Sequence, residues 1–166
     1  MAKHLHVVWW SLTGASAQLA DAVVEGARDA ADGEVQVRSI RCDEAGADDL
    51  LGADGLVFVA PENLASVAGR MKDFFDRTYY DALGRIEGRP YGLVVAAGSD
   101  GQGTVRQIAR ICTGWRLKAV AEPIIVITHA QTPAAIFAPK HVADDELNRA
   151  RELGALLAAG LATGVL

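Results

Sequence analysis

The sequence predicts an α/β fold: a three-layer sandwich in which a five-stranded parallel sheet, in the order 2-1-3-4-5, lies between two layers of helices. Three observations lead there. Five short apolar runs alternate along the chain with helical patterns, and such alternation demands parallel strands joined by right-handed crossovers. The runs at 55–60 and 91–97 are apolar nearly throughout, as expected of strands buried on both faces. Finally, five such units within 166 residues suit this order better than the longer dinucleotide-binding order.

Leu5 to Trp10 is the first strand. After a turn at 11–16, a helix opens near Ala17 with Leu19, Val23, Ala27 and Ala30 on one face, and Asp32-Gly33 ends it. Glu34 to Arg41 alternates, with Val35, Val37 and Ile40 apolar, and reads as a strand near an edge. Ala45 to Ala53 is a short helix and Gly55 to Ala60 the third strand. Pro61 to Ser66 is a turn, followed by a helix whose face is Val67, Met71, Phe74, Phe75 and Thr78. Only one of the two adjacent phenylalanines points straight inward on a regular helix. Tyr79 to Gly88 reads as a connection and Tyr91 to Ala97 as the fourth strand. The turn Gly98 to Gly103 precedes a helix from Thr104 to Thr113, with Val105, Ile108, Ile111 and Cys112 inward. The fifth strand lies within Leu117 to Thr128 and is broken near Pro123. Residues 129–143 form an irregular connection of a length usually reserved for functional or mobile segments. The last helix, from about Asp144 to Ala162, carries Leu147, Ala150, Gly154, Leu157 and Leu161 along one stripe. No repeat or linker interrupts the pattern, so residues 1–166 are expected to be one domain.

Composition narrows the function. Half of the residues are hydrophobic, and the net charge of −5 comes with no basic block, so nucleic acid and anionic membrane surfaces are disfavoured partners. Cys42 and Cys112 have neither zinc-like nor redox-motif spacing, so no metal is expected. No apolar run reaches membrane-spanning length and no leader pattern is visible, which makes the cytoplasm the expected compartment.

In the 2-1-3-4-5 order, ligands bind outside the carboxyl ends of the strands where the order reverses. The loops 11–16, 61–66 and 98–103 converge there. The first, Ser11-Leu-Thr13-Gly14-Ala15-Ser16, offers hydroxyls and a glycine at the start of a helix. The free N–H groups and dipole of that helix end favour an anion. With no Lys or Arg in the turn, N–H and O–H dipoles alone would meet the charge. The alternative is an ordinary strand-to-helix turn with Ser16 as the N-cap. No P-loop, nucleophile elbow or phosphate-loop cysteine occurs, nor the acidic pocket of a phospho-receiver. With little acid–base equipment, the crevice suits chemistry carried by a cofactor. His129, at the end of the fifth strand, lies near its rim. His4 and His6 sit at the opposite end as surface or packing residues, and His141 and Lys140 read as part of a solvated loop. Of Trp9 and Trp10, core packing is the reading for one, and the other lines the crevice or covers a sheet face.

The first loop resembles the FMN phosphate loop of flavodoxins and related reductases, Ser/Thr-x-Thr-Gly-x-Ser/Thr. Residues Ala60 to Thr78, with Gly69-Arg-Met-Lys-Asp-Phe-Phe-Asp-Arg-Thr78, look like the second flavin loop and following helix of flavodoxin-like NAD(P)H:quinone and FMN reductases. Ala97 to Gly103 resembles their third loop. The resemblance implies a flavodoxin-like fold, a bound FMN and hydride transfer from NAD(P)H, as electron donor, through the flavin to a quinone or similar small acceptor. On that likeness Ser11, Thr13, Gly14, Ala15 and Ser16 hold the phosphate. Pro61, Glu62, Asn63 and Leu64 edge the ring, and Ser99, Asp100, Gly101 and Gln102 lie near the ring and ribityl chain. No catalytic side chain is implied. Loops 61–66 and 98–103 lack the aromatic that usually stacks on the ring, which weakens, without removing, the alternative of an electron-transfer carrier. A binding domain without catalysis is the third reading. Tyr79 or Tyr80 would reach a ring only from a partner subunit in a homo-oligomer, dimer or tetramer, and packing within the chain is the plainer use of each.

Overall fold

The computed structural model describes residues 1–166. Its strands are β1 (Lys3–Trp9), β2 (Val35–Arg41), β3 (Gly55–Asn63), β4 (Ser66–Val67), β5 (Pro90–Ala97), β6 (Lys118–Ala119) and β7 (Ile124–Ile127). The helices are α1 (Ala15–Ala31), α2 (Ala47–Leu51), α3 (Gly69–Ala82), α4 (Gln102–Gly114), α5 (Pro133–Phe137) and α6 (Asp144–Thr163). β2, β1, β3 and β5 lie side by side in parallel, and β6 and β7 both continue the sheet from β5. β6 pairs with Pro90 and Tyr91, and β7 with Val94 to Ala97. They are the two pieces of one fifth strand, interrupted before Pro123, whose ring nitrogen has no proton for the ladder. The five parallel strands therefore follow the expected order 2-1-3-4-5.

Side chains on the sheet alternate between two cores. Leu5, Val7, Val57, Val59, Val94 and Ala96 face α1 and α6. Val8, Leu56, Phe58, Leu93 and Val95 face α2, α3 and α4. The period of two along each strand produces this division. β5 is buried along its whole length, whereas β2 buries little besides Val35 and Ile40, as befits a central and an edge strand.

Several boundaries differ from expectation. β3 runs on to Asn63 and folds back through Leu64 and Ala65 into β4, so the turn expected at 61–66 is the tip of a β-hairpin. The Gln107 side chain of α4 holds β4, accepting from Ser66 Oγ and Val67 N at 3.0 and 2.7 Å. Val67 is thereby drawn into the hairpin, and α3 begins at Gly69. α3 also continues through Tyr79, because Tyr79 stacks on buried Trp115 at 5.5 Å and its carbonyl accepts from the indole N–H at 2.9 Å. Tyr80 is exposed. Phe74 and Phe75 are both buried: Phe75 meets Phe58 at 5.3 Å and Trp115 at 5.8 Å, while Phe74 packs beside it at 5.4 Å. On α1 the inner face ends at Ala31 rather than Ala30, which is exposed. Trp9 and Trp10 are each half-buried, Trp9 bonding Ser39 Oγ at 3.0 Å and Trp10 lying under the Arg41 and Arg70 guanidinium groups. No helix is long and apolar enough to cross a membrane.

Candidate functional site

A cavity of about 390 Å³ opens at the carboxyl ends of β1, β3 and β5, within the size range of small-molecule sites. Ser11, Thr13, Ala15 and Ser16 form one wall, and Pro61, Glu62, Asn63 and Leu64 a second. Gly98 and Ser99 form part of a third. The crevice inferred from the strand order is therefore present.

The first wall is shaped by Gly14, whose φ of +104° lets the chain enter α1 abruptly. Its N–H donates to Ser11 Oγ at 3.0 Å, and its carbonyl accepts the first helical bond, from Gln18 N at 3.0 Å. α1 consequently starts at Ala15, ahead of the expected Ala17, with Gly14 at the N-cap. Ser16 then falls inside the first turn and cannot serve as the cap. Its hydroxyl is buried in the wall and has no hydrogen-bond partner. The N–H groups of Ala15, Ser16 and Ala17 find no acceptor within the chain. A buried hydroxyl left unpaired costs free energy, so a wall that gathers one beside three free amides is suited to an anion with several acceptor oxygens.

The second wall is the hairpin tip. Leu64 and Ala65 hold φ of +52° and +59°, and the Leu64 side chain is fully exposed at the mouth. Glu62 borders the cavity, but its carboxylate is engaged elsewhere: Oε1 accepts from Gly101 N at 2.9 Å and Oε2 from Thr104 N at 3.0 Å. It caps α4 from another loop, the placement a helix dipole favours for an acid. This accounts for the third expected loop. Ser99 borders the cavity, whereas Gly101 is buried under Glu62 and Ile125, and Asp100 and Gln102 are exposed outside it. His129 is exposed and also outside.

The connection between β7 and α6 also borders the cavity: Ile136 and Phe137, which the sequence did not single out, and Lys140, which it read as part of a solvated loop. The unusual length of that connection was their one signal. Ile136 and Phe137 are exposed apolar side chains at the cavity, and Lys140 brings a cationic residue to its border. The first loop has no cation, but the cavity does.

A model of the NADPH-dependent FMN reductase family matches residues 44–132, over half of the chain. The chain belongs to this flavodoxin-like, FMN-binding family. The FMN reductase match includes the hairpin wall and the third loop. A flavodoxin from Aquifex aeolicus (strain VF5) is 39% identical over 83 residues, 50% of this chain and 44% of the relative. An NAD(P)H dehydrogenase (quinone) from Acidithiobacillus ferrooxidans is 32% identical over 90 residues, 43% of this chain and 45% of the relative. The chain thus spans under half the length of either curated relative. Among solved structures, an archaeal flavodoxin superposes with a TM-score of 0.76 at 18% identity, over 95% of this chain and 98% of that one. Rubredoxin oxygen:oxidoreductase from Desulfovibrio gigas gives 0.76 at 14% identity, over 98% of this chain and 37% of that one. The fold of this FMN reductase family member is flavodoxin-like.

Proposed function

We propose that the cavity holds FMN and that the chain is an NAD(P)H-dependent oxidoreductase acting on a quinone or similar small acceptor. The observation that carries the FMN reading is the unpartnered, buried Ser16 hydroxyl beside the free amides of α1. A phosphate monoester satisfies all of them at once. Ser11 and Thr13 would add hydroxyls, and Gly14 lets the backbone come close. Pro61, Asn63 and Leu64 on one side and Gly98 and Ser99 on the other would border the ring. Glu62 would act indirectly, by fixing the hairpin against α4. Bound FMN would supply the hydride-accepting and electron-passing chemistry, leaving the protein to bind, orient and exclude water. The name of the matching family and that of the Acidithiobacillus relative support the nicotinamide and quinone parts of the reading. The flavodoxin relative favours a second reading, an electron carrier that binds FMN without taking hydride itself.

Ser16→Ala tests the site. A hydrogen bond to a charged phosphate contributes about 1.5–3 kcal/mol, so FMN affinity, measured by fluorescence titration, should fall roughly tenfold or more. Thermal stability of the ligand-free protein should not fall, because the hydroxyl has no partner to lose. Ser16→Glu, which places a carboxylate against the phosphate, should abolish binding in a folded chain. Unchanged FMN affinity in both variants would refute the assignment. Anaerobic bleaching of the flavin by NADPH or NADH, without an added reductase, separates the oxidoreductase from the carrier.

A further inference from the structure

The connection between β7 and α6 is tied at both ends to the loops that form the cavity. On entry, Thr128 N donates to Ala97 O at 2.8 Å and Gln131 Nε2 to Gly98 O at 3.2 Å. On exit, Lys140 N donates to Thr13 O at 2.8 Å. The Gln18 side chain completes the exit: its Nε2 donates to Gly14 O and Lys140 O at 3.0 and 2.8 Å, and its Oε1 accepts from Val142 N at 3.0 Å. Between these ties α5 buries no residue. Up to Lys140 the segment is a strap held by the site; Val142, at its exit, enters the core.

Lys140 is the cation of this strap. Its ammonium donates to the carbonyls of Ala135, Ile136 and Ala138 at 2.8, 2.9 and 2.6 Å. Three acceptors use its three donors and hold it in one place, yet no carboxylate pairs with it. Its charge is therefore fixed and uncompensated by any acid. The main chain of Lys140 rests on the same loop that carries the unpartnered Ser16 hydroxyl.

We infer that Lys140 is the fixed counter-charge for the terminal phosphate of the bound flavin nucleotide, delivered to the phosphate loop by the strap. The inference rests on the FMN reading above and extends it to a residue outside the three loops. Lys140 acts through its field, because its donors are already taken, so it should discriminate by ligand charge. FMN and riboflavin share the ring and ribityl chain and differ in the phosphate.

The test is the dissociation constant of each ligand for wild type, Lys140→Met, Lys140→Gln and Lys140→Arg, at low and high salt, with urea unfolding to confirm folded proteins. In the Met and Gln variants FMN should bind roughly tenfold or more weakly, and riboflavin should change less than about twofold. Lys140→Arg should restore most of the FMN affinity, and the Met variant should lose much of the salt dependence of FMN binding. Equal losses for both ligands would overturn the inference and leave Lys140 as strap packing. Unchanged FMN affinity in the Met and Gln variants would overturn it alone, and failure of the wild type to bind FMN would overturn it together with the proposed function.

Discussion

Ala65 is held at φ +59°, next to Leu64 at +52°, in a region that costs an ordinary L-residue roughly 1–2 kcal/mol. The pair persists because its surroundings specify it. Gly103 leaves no Cβ between α4 and the Ala65 carbonyl, and Gln107 and Glu62 grip the hairpin on either side of the tip. Ala65→Gly should relieve the strain at the cost of a more flexible unfolded chain, worth about 0.5–1 kcal/mol. The expected net effect is stabilisation of up to about 1 kcal/mol, read from the urea midpoint with an unchanged slope. A loss of more than about 1 kcal/mol would show that the Ala65 methyl has a packing role. Nothing at the sequence level announced this conformation, since Leu64-Ala65 lacks the Asn or Gly that usually marks such a tip.

Among the elements, α1 and α6 meet most closely. A Cβ on Gly154 would collide with the Val23 carbonyl, and one on Gly26 with the Arg151 carbonyl, so here backbone packs against backbone. Gly154→Ala would force the helices apart. It should cost on the order of 1–3 kcal/mol in urea unfolding, although alanine is the better helix former. The stripe of Leu147, Ala150, Gly154, Leu157 and Leu161 was legible as an inner face from its period. The partner was not, because a period reports a face and not what meets it. Similarly, the parallel strands and their order could be read from apolar runs, whereas the β3–β4 hairpin could not. Its pairing is two residues long, and the groups that stabilise it, Glu62 with Gly101 and Gln107 with Val67, lie about forty positions apart. Within the site, Ser16 was legible from the turn chemistry around it, but Lys140 was not, since its position depends on Gln18, 122 positions away.

At the scale of the whole molecule, a histidine in the middle of β1 makes stability depend on pH. His6 is buried beneath α2, with Nδ1–H donating to Asp49 O at 2.7 Å. Loss of water around the ring lowers its pKa below the ordinary 6.5, opposed by the Asp49 carbonyl and reinforced by the nearby Arg38 charge. The native state thus binds fewer protons than the unfolded chain once the pH drops below about 6.5. Stability is fully present above that value and declines as the pH falls through it, until the folded-state pKa is passed. The melting temperature should drop between pH 7 and 5, and His6→Asn should flatten that drop; an equal drop in both proteins would assign it to other groups. The two thiols add no titration in this range, for burial pushes Cys42 up to about 11 and Cys112 higher still.

The Glu62 carboxylate fastens one edge of the cavity to the helix behind another. Exchanging either segment alone for that of a relative would leave an acid with no amides to meet, or a helix end with no acid. Chimeras intended to change what the pocket accepts should therefore transplant residues 61–67 and 98–107 together.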